Sequence, residues 1–192
     1  MKWLKKLNKF KYIGGFTTFF YFIMKFKIIV CINKKNYIGK DNGLICYLPS
    51  DLKRFKYLTT NNVVIMGRKT FESLPNGALP NRVNIVLTSD KNFKSDNVIV
   101  CHSIDECIKL CEFNYQDKIC YVIGGGSIYK SFLEKNVVDV VDVTYALNDI
   151  EGDVLFPKLS EDKWQSINVK RQYFDSRDEC EYEIHKFFIK SD

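Results

Sequence analysis

Residues 120–135 of this chain read CYVIGGGSIYKSFLEK, a short apolar run followed by three glycines and a segment with helical spacing. The run CYVI is typical of a buried strand, and SIYKSFLEK is typical of a helix. Three glycines in a row let main-chain amides approach a phosphate without side-chain obstruction, just before the helix begins. This stretch therefore predicts a strand, an anion-binding turn and a helix in succession.

The same order of strand and helix recurs along the chain. Strand-like runs are FKIIVCI, NVVIM, NIVLTS and NVIVC, and helix-like segments begin near Ser50, near Lys69 and over SIDECIKLCEF. This alternation predicts an α/β fold with a mainly parallel central sheet and helices on both faces. Near the end, VDVVDVTYAL and EYEIHKFFI are both strand-like with no long helix between them. They predict an antiparallel hairpin at one edge of the sheet.

Length and charge favour a single domain that does not bind nucleic acid. The chain has 192 residues, 46% of them hydrophobic, which is enough for one sizeable core. Six of its 29 lysines and arginines precede residue 26, where no acidic residue occurs, and the other 23 are matched by 23 acidic residues. The body of the chain is therefore balanced in charge. The six are Lys2, Lys5, Lys6, Lys9, Lys11 and Lys25.

Residues 1–23 form a basic and aromatic N-terminal extension, which we expect to lie outside the domain at 24–192. The uncharged run at 12–24 is too short to span a bilayer as a helix, and no small-residue cleavage site follows it. We expect no membrane partner, with attachment of this segment to a membrane surface as the alternative.

Cysteine usage argues against both a metal site and a disulfide framework. Seven cysteines occur, with no C-x-x-C pair and only two histidines in the chain. Cys107 and Cys111 share an apolar stripe with Ile104 and Ile108, so we expect them to be small core residues in a reducing compartment.

Three strand-like runs end in residues suited to anions. VVIM is followed by Gly67, Arg68, Lys69 and Thr70, and NIVL is followed by Thr88 and Ser89. CYVI is followed by the three glycines and Ser127. In a parallel sheet these ends meet at one edge, where a dinucleotide could touch all three. The glycines do not match G-x-G-x-x-G, and the cations and hydroxyls favour an extra phosphate, hence NADPH over NADH.

Asp51 follows a Leu-Pro pair in LPSDLKRFKYLT, residues 48–59. If a helix opens near Pro49 or Ser50, Asp51 shares its apolar face with Phe55 and Leu58. A carboxylate there predicts a pocket residue. The alternative is that Asp51 or Ser50 caps the helix.

Six segments follow one another as NYIGKDNGL, LPSDLKRFK, VVIMGRKTFESLP, LPNRVNIVLTS, CYVIGGGSIY and VTYALNDIEGDVLFP. Their order and spacing resemble those of the dihydrofolate reductase family over roughly residues 26–190. The resemblance implies a cytoplasmic, monomeric, NADPH-dependent oxidoreductase of one-carbon metabolism that binds antifolate-type inhibitors. Its reaction would convert 7,8-dihydrofolate to 5,6,7,8-tetrahydrofolate by hydride transfer to C6 with protonation at N5.

The resemblance also implies residue roles. Asp51 matches the acid of the pterin pocket, Thr144 the hydroxyl bonded to that acid, and Leu44 a residue of the mobile loop over the nicotinamide. These three form the expected catalytic group. Arg82 matches the cation that pairs with the α-carboxylate of the glutamate tail. Expected substrate contacts are Ile29, Val30, Asp51, Leu52, Phe55, Leu74, Leu79, Arg82, Ile123, Tyr129 and Thr144. Expected cofactor contacts are Cys31, Ile38, Gly39, Leu44, Gly67, Arg68, Lys69, Thr70, Leu87, Thr88, Ser89, Ile123, Gly125, Gly126, Ser127, Ile128 and Tyr129.

The chain departs from the family pattern at two places. Ile45 and Cys46 stand where the family usually has Pro-Trp, which alters the loop and the water network near the acid. Ser127 stands where many relatives carry a cation. Two alternatives therefore remain. One is a reductase of the same fold acting on a riboflavin-pathway pyrimidine or another pterin, and the other is a non-catalytic NADPH-binding or assembly protein.

Overall fold

The computed structural model describes residues 26–171 and 175–190. The predicted extension at residues 1–23 lies outside the described residues. The elements are, in chain order, β1 (Phe26–Asn33), β2 (Tyr37–Lys40), β3 (Gly43–Leu44), α1 (Pro49–Thr59), β4 (Val63–Gly67), α2 (Arg68–Glu72), β5 (Val83–Leu87), β6 (Ile99–Cys101), α3 (Ile104–Asn114), β7 (Cys120–Gly124), α4 (Gly126–Glu134), β8 (Val138–Ala146), β9 (Val154–Leu155), β10 (Trp164–Arg171) and β11 (Tyr182–Ile189).

An eight-stranded sheet forms the centre of the fold, in the order β10-β11-β8-β1-β7-β4-β5-β6. The six strands from β8 to β6 are parallel to one another. Strand β11 is antiparallel to both β8 and β10. The predicted α/β class and mainly parallel sheet are therefore confirmed, as is the antiparallel end. Strand β10, in the polar stretch after residue 160, was not predicted.

Two apolar cores lie on opposite faces of this sheet because side chains alternate along each strand. On β1, Ile28 and Val30 belong to the core under α3 and α4, whereas Ile29 belongs to the core under α1 and α2. Cys107 and Cys111 are buried in the first core, as predicted. Helices thus cover both faces, also as predicted.

A small second sheet in the order β3-β2-β9 holds the segment that carries Leu44. Asp41 and Asn42, between β2 and β3, both have positive φ, as a tight hairpin turn requires. The carboxylate of Asp153 accepts the main-chain N–H of Asp41 at 3.0 Å. A Cβ added to Gly126 would lie 2.9 Å from the Val154 side chain, so this sheet packs directly against the start of α4.

The register of the large sheet brings the predicted anion-binding ends together. Gly67 at the end of β4 is paired with Leu87 on β5, and Met66 is paired with Gly124 on β7. The three turns that follow these strands therefore open at one edge.

Candidate active site

Helix α1 carries Asp51 in its first turn, and a residue distant in sequence caps the helix. Asp178, buried just before β11, accepts the main-chain N–H of Ser50 at 3.0 Å and the Ser50 hydroxyl at 2.5 Å. The cap position itself is Leu48, with no side-chain hydrogen bond. The alternative that Ser50 or Asp51 caps the helix is therefore wrong, and the Asp51 carboxylate is left for other partners.

The carboxylate of Asp51 is bonded to the central sheet. The Thr144 hydroxyl, buried on β8, donates to Asp51 Oδ1 at 2.8 Å. The Asp51 side chain retains 15% exposure. The structure thus joins two predicted catalytic residues that are 93 positions apart.

Arg54 bridges Asp51 to a second buried acid. Its Nη1 lies 3.6 Å from Asp51 Oδ1, and its Nη2 donates to Asp142 Oδ1 at 2.5 Å. Asp142 is two positions before Thr144 on β8, so both side chains lie on the same face of the strand. The site therefore contains two carboxylates and one guanidinium in a row.

This arrangement sets the ionisation of Asp51. Burial raises the pKa of the Asp51 carboxyl above its ordinary value, while the Thr144 hydrogen bond and the Arg54 charge lower it. The negative charge of Asp142 raises the pKa of Asp51 again. Desolvation prevails, so Asp51 holds a proton more strongly than an exposed aspartate does.

An apolar wall adjoins Asp51 on the same face of the sheet. The half-buried Phe55, Leu74, Leu79 and Ile123 pack with the buried Ile29. These five residues come from β1, α1, β7 and the segment after α2. The structure therefore gathers most of the predicted apolar substrate contacts into one cluster.

Val30, in contrast, is not placed in this wall. It is buried in the opposite core, because neighbouring residues on β1 face opposite sides. Its side chain therefore cannot line a pocket shared with Ile29, which corrects the prediction for that side chain. Tyr129 also belongs to the opposite core, but its hydroxyl donates to the Ile29 carbonyl at 3.0 Å.

Two apolar side chains, one on the small sheet and one next to Asp51 in the chain, are open to solvent. Leu44 is 59% exposed on the small sheet, and Leu52 is 39% exposed on α1. Large apolar side chains this accessible next to a polar cluster are typical of a ligand-binding surface.

Arg82 lies next to Phe55 of the wall. Its Cζ is 5.9 Å from the centre of the Phe55 ring, which is the range of a cation–π contact. Its Nε is buried and has no hydrogen-bond partner within the described part of the chain. Burial lowers the pKa of Arg82, but an arginine stays protonated at neutral pH. A positive, planar group with a spare donor is therefore available there.

Glycines allow two helix starts to pack closely at the predicted cofactor edge. A Cβ on Gly67 would lie 3.1 Å from the Ile128 side chain, and one on Gly125 would lie 3.3 Å from Thr70 Oγ1. The peptide bond between Gly124 and Gly125 is cis. The starts of α2 and α4 thus lie against each other at one edge of the sheet. This cradle fits the phosphates of a dinucleotide.

The polar side chains at this edge differ in availability. Lys69, Ser89 and Ser127 are exposed. Arg68 is half buried, and its Nη1 donates to Glu72 at 2.9 Å. An anion at this edge therefore competes with Glu72 for the Arg68 guanidinium.

The remaining predicted cofactor residues surround this edge and the small sheet. A Cβ on Gly126 would lie 4.0 Å from the Ile38 side chain, so β2 approaches the start of α4. Gly39 is paired with Leu44 and Val154. Cys31 on β1 is paired with Thr144.

Sequence reasoning missed three residues at the site. Arg54 and Asp142 were not singled out, although Arg54 follows Asp51 by one helical turn and Asp142 precedes Thr144 by two strand positions. His102 was not singled out either, yet its Nδ1 lies 2.9 Å from the Thr88 carbonyl oxygen. Its position directly after β6, the next strand of the parallel sheet, is the signal that could have found it.

Across 26–171 and 175–190, no group of three or more metal-binding side chains is arranged to hold an ion. None of the helices described there is long and apolar enough to cross a bilayer.

Comparison with known proteins accounts for this combination of fold and site. The family model described as dihydrofolate reductase matches residues 25–188. The chain belongs to the dihydrofolate reductase family. Family membership confirms the resemblance of the six segments.

Individual members of the dihydrofolate reductase family show the extent of the match. The dihydrofolate reductase of Staphylococcus haemolyticus is 36% identical over 162 residues, covering 84% of this chain and 94% of its own. That of Bacillus subtilis is 34% identical over 156 residues, with 81% and 89% covered. The dihydrofolate reductase from Enterococcus faecalis, solved with NADP(H) and RAB-propyl, is 30% identical with a TM-score of 0.77. It matches 87% of this chain and 97% of its own.

Proposed function

We propose that this protein reduces 7,8-dihydrofolate to 5,6,7,8-tetrahydrofolate with NADPH. The observation that carries the proposal is the environment of the Asp51 carboxylate. Asp178 satisfies the first turn of α1, so Asp51 is not needed as a cap. Asp51 instead accepts a hydrogen bond from Thr144 beside an apolar wall. Membership of the dihydrofolate reductase family supports the same reaction.

Asp51 is the group that orients the pterin. Its carboxylate accepts hydrogen bonds from the pterin N3–H and 2-amino group while Thr144 donates to Oδ1. A buried carboxylate is costly unless its oxygens are hydrogen-bonded, and these donors supply the bonds. The fixed negative charge favours a proton at N5 of the ring, which water delivers beneath Leu44. The Phe55 side of the wall packs against the rest of the substrate.

NADPH supplies the hydride that reaches C6 of the pterin. The turns at Gly67, Gly125 and Gly126 would bind its phosphates, and Arg68, Lys69, Thr88 and Ser89 would surround the additional 2′-phosphate. The small sheet with Ile38 and Leu44 covers the nicotinamide and excludes water from it.

Arg82 binds the α-carboxylate of the glutamate tail. Its guanidinium lies beyond Phe55, where the tail would leave the apolar wall, and its buried Nε is a spare donor. This position favours a folate over a riboflavin-pathway pyrimidine, which has no such tail. Asp51 and the phosphate cradle together favour an enzyme over a non-catalytic binding protein.

The proposal also covers the cellular compartment and the oligomeric state of the enzyme. All seven cysteines are free thiols, which supports a reducing compartment and hence the cytoplasm. We also propose a monomer with a role in one-carbon metabolism, in which residues 24–192 suffice for activity. Light scattering on the purified chain tests the monomer.

A spectrophotometric assay of NADPH consumption tests the activity. Full-length protein and a variant starting at Met24 should both consume NADPH only after dihydrofolate is added. Protein that is folded by circular dichroism, binds NADPH and yet shows no dihydrofolate-dependent oxidation would contradict the proposal. A matched assay with a tail-free pterin separates folate reduction from general pterin reduction.

A further inference from the structure

Two cysteine side chains meet beside the Asp51 helix. Cys46 lies between Leu44 and the start of α1, and Cys180 lies just before β11. Their Sγ atoms are 3.2 Å apart, although the residues are separated by 134 positions in sequence. Cys46 stands where the dihydrofolate reductase family usually has tryptophan, and Cys180 is its direct neighbour in space.

These thiols share a small apolar cluster with Ile45, Leu48 and Tyr182. Cys46 is buried, whereas Cys180 is half buried. Cys180 Sγ also accepts a hydrogen bond from the Asn148 amide at 3.7 Å. Cys180 is therefore the more exposed residue of the pair.

The segments that carry the two cysteines are already fastened together. The main-chain N–H of Glu179 donates to the Tyr47 carbonyl at 3.1 Å, and that of Tyr47 donates to the Glu179 carboxylate at 2.7 Å. A disulfide needs the sulfur atoms at about 2.05 Å. Their present separation of 3.2 Å leaves a gap of about 1 Å to close.

We propose that Cys46 and Cys180 are a redox modification site, which a peroxide or a low-molecular-weight disulfide converts to an intrachain disulfide. With hydrogen peroxide, the Cys180 thiolate attacks one oxygen, the O–O bond breaks, and Cys180 becomes a sulfenic acid as water is released. Cys46 then attacks that sulfur, loses its proton, and the S–S bond forms with release of a second water. The two thiols lose two electrons and two protons, and one peroxide becomes two waters.

The environment makes this modification slow in the resting protein and reversible. Burial and the neighbouring Cys180 raise the pKa of the Cys46 thiol to about 12, so Cys46 is protonated at neutral pH and does not start the reaction. The half-buried Cys180 starts it, and Cys46 resolves it at short range. Cellular thiols reverse a disulfide of this kind in a reducing compartment.

The consequence for turnover rests on the proposed function. The disulfide would join two segments covalently. One contains Leu44 and covers the nicotinamide, and the other is the segment just before β11 that contains Cys180. Loops of this kind must open for ligand exchange in each cycle. The oxidised enzyme should therefore turn over more slowly than the reduced one, with its folded structure unchanged.

The experiment uses the full chain, reduced and freed of reductant, and then treated with hydrogen peroxide or with glutathione disulfide. Peptide mapping without reduction identifies the bond, and the NADPH assay with dihydrofolate gives kcat. We expect a peptide pair containing Cys46 and Cys180, and a fall in kcat of about three- to tenfold that dithiothreitol restores. Cys180→Ser, which keeps the size of the side chain, should show normal kcat and no fall.

The outcomes separate the two proposals. Absence of the Cys46–Cys180 peptide pair, or pairing of either cysteine with Cys31 instead, would overturn the modification site. A mapped disulfide with undiminished kcat would overturn its effect on turnover. A reduced protein without dihydrofolate-dependent activity contradicts the proposed function alone, because the peptide map still reports on the thiols.

Discussion

Arg54 donates from Nη2 to Asp142 at 2.5 Å while its Nη1 lies 3.6 Å from Asp51. The guanidinium is thereby fixed next to the carboxylate that we propose to orient the pterin. Asp142 holds Nη2 of the guanidinium in place while Nη1 faces Asp51. Arg54 is therefore a positioning residue that favours the ionised form of Asp51.

Removing the Arg54 charge should move the ionisation of Asp51 to higher pH. Arg54 lowers the pKa of Asp51, so Arg54→Gln should leave that pKa further above its ordinary value. Thr144, Asp142 and Tyr182 also face this carboxylate, and Arg54→Gln/Asp142→Asn isolates the contribution of the second acid. Carbon-13 NMR titration of Asp51, assigned with Asp51→Asn, measures the midpoint. An unchanged midpoint in both variants would remove Arg54 from this role.

Asp51→Asn should preserve the fold and NADPH binding but lose a factor on the order of 10²–10⁴ in kcat at neutral pH. The amide cannot accept from both pterin donors, and it carries no charge to favour protonation at N5. Activity should partly recover as pH falls, because substrate protonated in solution needs less help. Thr144→Val is the matched control, since it keeps the charge, and should cost only about tenfold. Near-normal turnover of Asp51→Asn would contradict the proposed mechanism.

The same substitution should stabilise the protein at neutral pH. The pKa of Asp51 is raised on folding, so the folded state binds its proton more strongly than the unfolded state. Stability therefore falls as pH rises through the Asp51 pKa, and Asp51→Asn removes this loss. Thermal melts of the two proteins should differ at neutral pH and converge in strong acid. If Asp51→Asn were less stable than the parent at neutral pH, the ionised Asp51 would not be destabilising the fold, and the prediction would be wrong.

Arg82→Leu should raise KM for dihydrofolate by about 10–100-fold and change kcat much less. The guanidinium binds a carboxylate equally in the ground and transition states, so its loss weakens binding without slowing the chemical step. Arg82→Lys should lie between the two, because it keeps charge but not the paired donors. With a tail-free pterin, the three proteins should have the same KM. A KM difference that persists with that substrate would show that Arg82 does not act through the tail.

Glu72→Gln should lower KM for NADPH by about twofold, because an exposed ion pair of this kind is worth only about 0.3–0.5 kcal/mol. The change frees the Arg68 guanidinium, whose Nη1 now donates to Glu72 at 2.9 Å. NADH lacks the extra phosphate, so its KM should not change. In the Arg68→Leu background, Glu72→Gln should have no effect on either cofactor. An equal fall in KM for NADH would point to a cause other than the 2′-phosphate.

Periodicity in the sequence predicted the central strands and helices, and its limits explain what was missed. Strand β7 and helix α4 bury several residues each, so their apolar spacing is clear. Strand β10 lies at the edge of the sheet, where Trp164 is buried but Ile167 is exposed, so no apolar pattern marks it. Strands of two residues such as β3 and β9 are too short for a period.

The active site depends on pairs that are distant in sequence, which periodicity cannot detect. The contact of Asp51 with Thr144 was expected through the family resemblance alone. Arg54 was not singled out, because its buried partner Asp142 lies on a strand much later in the chain. The contact of Cys46 with Cys180 was likewise hidden, since each cysteine alone suggests ordinary packing.

Asp178 satisfies the first turn of α1 but is made much later than that helix, so the active site is completed late in translation. Helix α1 leaves the ribosome early, but the residue that satisfies its first turn and the strand β11 that completes the sheet are made last. A nascent chain that stops before residue 175 would present Asp51 on an uncapped helix, with β8 left as an open strand edge. Interrupted translation therefore yields fragments for proteolysis rather than partly active reductase.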